Sequence, residues 1–382
     1  MTGLLHDVLR DRAEETPAPY IDPDLIIGHA ERRLWRRRAT TGVAALAVAG
    51  LVAAGATALP DLFPERDSGA PAHSTGGFTE RKVGFAVGDV IHYGSRSFSV
   101  GADVASYVQT DDGFVFTSPD GDVWFFDGTG SEQIGSTGKK YGYLRADDTG
   151  SLVAWVTLTE DGAPQYVVYD TNTRSEVRVD DASAGPGSAD DIGGAYVYAV
   201  DDGAAYWRNE DGIVRYDWAS GEITLLTQWR EAEEGFDGEV PTPDLLDVAG
   251  GTLAFDRVGV DGSTIRVGDS FDADVPALPF GWRGLLSPAA TYIAVEQGDE
   301  VAVFDTATQD EVTPTVDGYP FLSFYGWVDD DTVMVFAIKD LGGSTYPADF
   351  LACDVPAGGC DVVSSAEVTQ GSFALPVGEK VD

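Results

Sequence analysis

Cys353 and Cys360 stand close together, with Pro356, Gly358 and Gly359 between them. A turn over that stretch folds the thiols towards each other, which in an oxidising compartment makes a hairpin-tip disulfide. In a reducing one they remain two thiols; two ligands with no histidine nearby do not make a zinc site. Of the four histidines, His6, His29 and His73 come early and His92 alone follows. A Ser/His/Asp hydrolase needs an imidazole base, and His92 has no G-x-S-x-G motif to serve. H-E-x-x-H, P-loop and G-x-G-x-x-G signatures are missing as well. What the chain has in excess is carboxylate. Turns such as Asp329-Asp330-Asp331 and Asp180-Asp181 offer the oxygens that Ca²⁺ takes, without the twelve-residue spacing of an EF-hand. The expectation is no catalytic residue and no cofactor, with Ca²⁺ the one ion these turns could hold.

The carboxylates are unevenly spread. Residues 1–60 hold 7 basic and 7 acidic side chains, so the whole formal net charge of −40 belongs to the 61–382 portion. A body that acidic repels nucleic acid and anionic lipid. Much of the aspartate falls in turns, where its side chain bonds the local backbone, and serves solubility otherwise.

The uncharged run Ala39 to Pro60 divides the chain. As a helix it spans about 33 Å, the thickness of a bilayer core. Arg32, Arg33, Arg36, Arg37 and Arg38 stand directly before it and hold that end in the cytoplasm by the positive-inside rule. Residues 39–60 therefore read as a signal-anchor in contact with the lipid bilayer. Ala56-Thr57-Ala58 would suit signal-peptide cleavage, but 38 preceding residues are too many for an ordinary signal peptide. A buried soluble helix is the third reading, and the arginine block argues against it. Residues 1–38 carry two short amphipathic runs, Leu4–Leu9 and Leu25–Leu34, with nothing to cover their apolar faces. This cytosolic tail lies on the membrane surface, docks a cytosolic regulator, or stays partly unstructured. Residues 61–81, rich in Pro, Gly, Ser and Thr, read as a flexible stalk.

Residues 82–382 repeat. An apolar strand ends in aspartate and turns, at Asp127, Asp170, Asp217, Asp269, Asp305 and Asp354. The spacings are 43, 47, 52, 36 and 49 residues, near the period of a four-stranded propeller blade. A second set of turns precedes each unit's middle strand: Asp111-Asp112, Asp147-Asp148, Asp201-Asp202, Gly250-Gly251, Pro288-Ala289-Ala290 and Asp329-Asp330. Six units are explicit. Three strand-like runs in 83–101 and one in 372–377 supply a seventh blade from both termini, which closes the ring and removes free edges. The fold class expected is all-β, a β-propeller of seven blades (six as the alternative), behind one transmembrane helix and a short helical tail. The acidic insertion Glu231–Gly235, beside Trp229, Phe236 and Trp282, is a loop that could carry recognition.

The unit Ser287-Pro288…Tyr292-Ile293-Ala294-Val295…Val301-Ala302-Val303-Phe304-Asp305 resembles the TolB-type and WD-repeat-like propellers of bacterial envelope proteins. Their unit is S-P-D-G, a strand, then an apolar strand ending in Asp. Here Ala289 and Ala290 replace D-G, and the intact Ser118-Pro119-Asp120-Gly121 falls in a different turn. The front piece resembles the cytosolic segments of actinobacterial single-pass membrane proteins related to anti-sigma factors, without their zinc-binding His/Cys motif. The resemblance implies an extracytoplasmic interaction or sensing propeller. Three roles follow: a non-catalytic binding platform for an extracytoplasmic protein, peptide or glycan; a transmembrane transducer; or a Ca²⁺-dependent propeller lactonase or lyase.

Overall fold

The computed structural model describes residues 77–137, 143–180, 195–209, 211–228, 244–259, 262–278, 283–297, 300–369 and 371–379. The tail 1–38 with its five arginines, the run 39–60, residues 61–76 of the stalk, Asp181, and the Glu231–Gly235 insertion with Trp229, Phe236 and Trp282 lie outside them. No helix occurs among the described residues.

The strands form seven antiparallel sheets. The first contains β1 (Gly84–Val87), β2 (Val90–Tyr93) and β3 (Arg96–Ser99). The second is β4 (Ser106–Thr110), β5 (Gly113–Thr117), β6 (Asp122–Phe126) and β7 (Ser131–Ser136). The third is β8 (Leu144–Ala146), β9 (Leu152–Leu158), β10 (Pro164–Asp170) and β11 (Ser175–Val179). The fourth is β12 (Tyr196–Asp201), β13 (Ala204–Arg208), β14 (Gly212–Asp217) and β15 (Ile223–Gln228). The fifth is β16 (Asp244–Ala249), β17 (Thr252–Gly259) and β18 (Gly262–Gly268), and the sixth β19 (Arg283–Leu286), β20 (Tyr292–Gln297) and β21 (Glu300–Asp305). The seventh is β22 (Phe321–Trp327), β23 (Thr332–Ile338), β24 (Thr345–Asp354) and β25 (Gly359–Thr369). The last strand, β26 (Phe373–Ala374), returns to the first sheet and pairs with β1 through Ala86↔Ala374 and Val87↔Phe373. The chain is thus a seven-bladed β-propeller closed by both ends of the repeat region.

Burial grades from the axis outwards. Middle strands pack blades on both faces and are apolar almost throughout: β9 is buried from Leu152 to Thr157. The outer strand β11 is exposed along most of its length. Seven hydrophobic clusters fill the ring, one between each neighbouring pair of blades. Tyr166 of the third blade stacks on Trp207 of the fourth with ring centroids 4.6 Å apart. At the closure Phe85 stacks on Phe350 at 3.9 Å. Burying such a side chain contributes roughly 1.5–3 kcal/mol. His92 lies in β2, stacked on Phe85, with Ser97 Oγ 3.1 Å from its Nδ1.

Two features depart from the sequence reading. The fifth and sixth blades have three strands among the described residues where the repeat predicts four. The chain beside β18 carries Pro276 and that beside β21 carries Pro314. Proline lacks the N–H that an outer ladder strand needs. Fragments replace the ladder: Leu278 N–H donates to Ile265 O at 2.8 Å in the fifth blade, and in the sixth an isolated Phe304–Glu311 bridge remains, with Val312 N–H donating to Val303 O at 2.8 Å and Asp305 N–H to Asp310 O at 3.0 Å. The second departure concerns residues 77–81, which composition places in the stalk. They pack on the propeller: Phe78 is 5% exposed and meets Phe114 edge-on at 5.0 Å.

Candidate functional site

In an up-and-down blade, the turn after the first strand and the turn after the third emerge on the same face. Both aspartate-bearing sets of turns therefore share one face of the ring. At the third-strand turns the carboxylate caps the local backbone. Asp127 Oδ1 accepts from Thr129 N–H at 2.9 Å, Asp170 Oδ1 from Asn172 at 3.0 Å and Asp217 Oδ1 from Ser220 at 2.9 Å. Asp305 Oδ1 accepts from Ala307 and Thr308 at 2.9 and 2.8 Å, and Asp354 Oδ1 from Ala357 at 2.6 Å. At Asp269 the bond comes from the Ser270 hydroxyl. The five that accept from backbone N–H groups are local aspartate-capped turns, which local sequence suffices to build.

The first-strand turns do something the repeat pattern does not predict: they tie blade to blade. Asp201 accepts from the N–H groups of Gly250 and Gly251 in the next blade, both at 3.0 Å. Asp330 reaches back to Ala289 N–H at 3.0 Å and to the Ser287 hydroxyl. Thr171 donates to Asp112 across the second and third blades at 2.9 Å. Arg174 adds an ion pair to Asp127 at 2.8 Å. Burial pushes the Asp330 carboxyl up, but its hydrogen bonds from Ser287, Thr291 and Ala289 outweigh that and hold it below its ordinary value. Cys353 and Cys360 face each other in register on β24 and β25 and are joined as a disulfide, with Cα atoms 4.0 Å apart.

The inner strands β4, β8, β12, β16, β19 and β22, with Pro376, Val377 and Glu379 after β26, line a central channel, which encloses a cavity of about 500 Å³. Arg81 donates to the carbonyls of Gln109, Asp147 and Asp148 at the mouth on the turn face. Deeper in, Arg145 is held on every side. Its Nε donates to Tyr198 O at 3.0 Å, its Nη1 to Leu144 O and Val377 O at 3.1 Å each, and its Nη2 to the Tyr196 hydroxyl at 2.7 Å and to Glu379. Burial works against its charge, but Tyr196, Glu379 and Asp247 outweigh it and push the guanidinium above its ordinary value.

Glu379 belongs to the segment after β26, which enters the channel wall. Gly378 N–H donates to Tyr107 O at 2.9 Å and Gly378 O accepts from Leu144 N–H at 2.8 Å. Gly378 has φ +69° and a Cβ there would sit 1.9 Å from Leu144 O, so only glycine lets the backbone come this close. The second carboxylate oxygen of Glu379 lies 3.8 Å from Arg283 Nη2. Burial raises the Glu379 carboxyl, yet Arg145 and Arg283 pull it below its ordinary value.

Two other channel carboxylates, Asp244 and Asp247, have their own partners. Asp244 accepts from the Tyr198 hydroxyl at 2.6 Å. Asp247 accepts from Val248 N–H at 2.9 Å and, across the blade boundary, from Leu286 N–H at 2.8 Å. Burial and the nearby charge of Asp148 push its carboxyl up to about 7. Among the described residues no three His, Cys, Asp or Glu side chains are grouped to hold a metal ion.

Arg145, Asp247, Arg283 and Glu379 were not distinguishable by motif. For Arg145, Asp247 and Arg283 the one signal is a charge in a short apolar strand, as in Leu144-Arg145-Ala146 and Leu245-Leu246-Asp247-Val248, where the pattern calls for burial; Glu379, in Gly378-Glu379-Lys380 after the last strand, carries none.

Neither a family model nor a curated protein matches the chain. Solved structures are similar in fold. TolB from Acinetobacter baumannii is 17% identical with a TM-score of 0.40; the match covers 62% of this chain and 63% of that one, just under two thirds of its length. A TolB from Agrobacterium tumefaciens is 12% identical with a TM-score of 0.37, covering 78% and 95%. A chain of the Mitotic Checkpoint Complex is 11% identical with a TM-score of 0.45, covering 86% and 98%. The chain is a seven-bladed β-propeller similar in fold to propellers of the TolB and WD-repeat type.

Proposed function

We propose that the chain is a non-catalytic binding platform, held outside a cell membrane by residues 39–60 with residues 1–38 inside. The observation that carries it is the face of interlocked turns. Asp112, Asp201 and Asp330 bond the turns of one blade to those of the next. A surface fixed in this way loses little conformational freedom when a partner docks, which favours binding. The partner class is an extracytoplasmic protein, peptide or glycan; nucleic acid is disfavoured by the charge. The Cys353–Cys360 disulfide suits an oxidising compartment.

One experiment tests side and face together. Photoreactive residues are placed at Asn172 or Thr308 on the turn face, and at Asp340 on the opposite face, in the full-length chain in intact cells. The expected result is partner adducts from the turn-face positions, labelled by a membrane-impermeant reagent. Adducts from Asp340 alone, or adducts sealed from that reagent until the cells are opened, refute the proposal.

The uncovered faces Leu4–Leu9 and Leu25–Leu34 favour a second reading, in which the tail binds a cytosolic regulator and the propeller senses outside. Leu5→Asp with Leu9→Asp in the full chain then abolishes signalling while leaving turn-face adducts intact; unchanged signalling removes it.

A further inference from the structure

We propose that Arg145 and Arg283 form a carboxylate-binding subsite in the channel, which the chain's own Glu379 fills as an internal ligand. The arrangement is a clamp: Arg145 Nη2 takes one oxygen of Glu379, and Arg283 Nη2 faces the other at 3.8 Å. Arg145 is pre-oriented by two backbone carbonyls outside the final segment and by the Tyr196 hydroxyl, so its place does not depend on Glu379. Arg283 also lies 3.9 Å from Glu296, which is itself engaged by Ser323 and by Phe324 N–H at 2.7 Å each. Two guanidinium groups thus face two carboxylates. Removing Glu379 takes away the one carboxylate, among the described residues, that bonds Arg145 directly and leaves Arg283 only Glu296 at 3.9 Å, a state that favours capture of an external anion.

The surroundings narrow the ligand. Asp244 and Asp247 line the same cavity, so a second carboxylate on the ligand meets negative charge. Tyr196, Tyr198 and the strand carbonyls supply uncharged hydrogen-bonding groups. The subsite therefore takes a monocarboxylate with a neutral, hydrogen-bonding body. A peptide acidic side chain and a free hydroxy acid share that chemistry. The subsite lies in the channel, away from the turn face, so it stands whether or not the platform reading does.

The test uses the full-length chain carrying Glu379→Ala, with folding checked by circular dichroism. Probes are the tripeptide acetyl-Val-Gly-Glu-amide, its Gln counterpart, and gluconate, with binding measured by calorimetry at fixed ionic strength. Glu379→Ala is expected to bind the Glu peptide at least tenfold more tightly than the wild type does, and at least tenfold more tightly than it binds the Gln peptide. Adding Arg283→Gln weakens this at least threefold. Gluconate binding in the same pattern assigns the subsite to free acids, and peptide binding alone assigns it to acidic side chains. Equal affinity of wild type and variant, or equal affinity for Glu and Gln peptides, overturns the proposal. Should Glu379→Ala fail to fold, Glu379→Gln carries the same comparison, and no gain in carboxylate binding there overturns it equally.

Discussion

Aspartate does two different jobs in this ring, and titration separates them. Asp330 is held below its ordinary value, so its contribution is present at neutral pH and is lost as pH falls through that lowered value. Asp330→Ala should cost about 1–3 kcal/mol at pH 7, the range for stranding a buried hydrogen-bonding partner. Urea melts should show the gap narrowing as pH falls below the ordinary carboxylate range; a gap that does not change with pH contradicts the assignment. Asp247 has the opposite sign. Its carboxyl is pushed up to about 7, so the folded chain binds that proton more tightly than the unfolded one does. Through this group the protein loses stability as pH rises from about 4 to 7. Asp247→Asn does not titrate, though it sacrifices one backbone hydrogen bond at every pH. Its stability relative to wild type should therefore be greater at pH 8 than at pH 4.5, and a gap that is flat or reversed is incompatible with a raised carboxyl.

At the scale of strands and turns, the hairpin of β24 and β25 is where covalent chemistry supports the fold. The disulfide closes a short loop, with a sequence separation of 7. Loop-closure entropy for a ring that small is worth about 2 kcal/mol. Replacing both cysteines by alanine should lower the stability by that order and leave turn-face binding unchanged; a loss of partner adducts would place the hairpin in the binding surface instead. This scale is also where sequence and structure agree best. A strand that ends in aspartate needs only its own next few residues to build its turn, so Asp127, Asp170 and Asp305 could be read locally. The fifth and sixth blades were legible only in part, because Pro276 and Pro314 sit just past the aspartates that mark the repeat. The pairing across the channel was not legible, although a charge within a short apolar strand marks Arg145 and Asp247. Arg145 and Glu379 are 234 positions apart, and nothing near either one announces the other.

For the whole molecule the decisive contact is the seam. Phe85 stacks on Phe350 across the boundary of the first and seventh blades, and β26, which follows the seventh blade in the chain, completes the first blade by pairing with β1. Phe85→Ala should cost about 3–5 kcal/mol, as other buried phenylalanines do. The loss should also appear as a faster exchange of the Ala86 and Val87 amides relative to those of β9, measured by hydrogen exchange. Uniform acceleration across all seven blades would mean that the ring opens as one unit and has no preferred seam.

The seam also sets a schedule. Ala86 precedes its partner Ala374 by 288 residues (374 − 86), and a ribosome adding roughly 5–20 residues each second needs on the order of 15 seconds to a minute to go from one to the other. For that interval the emerging protein carries an unpaired strand edge and the apolar side of Phe85 with no seventh blade to cover it. Whatever attends the chain during synthesis must shield the first blade until β26 arrives.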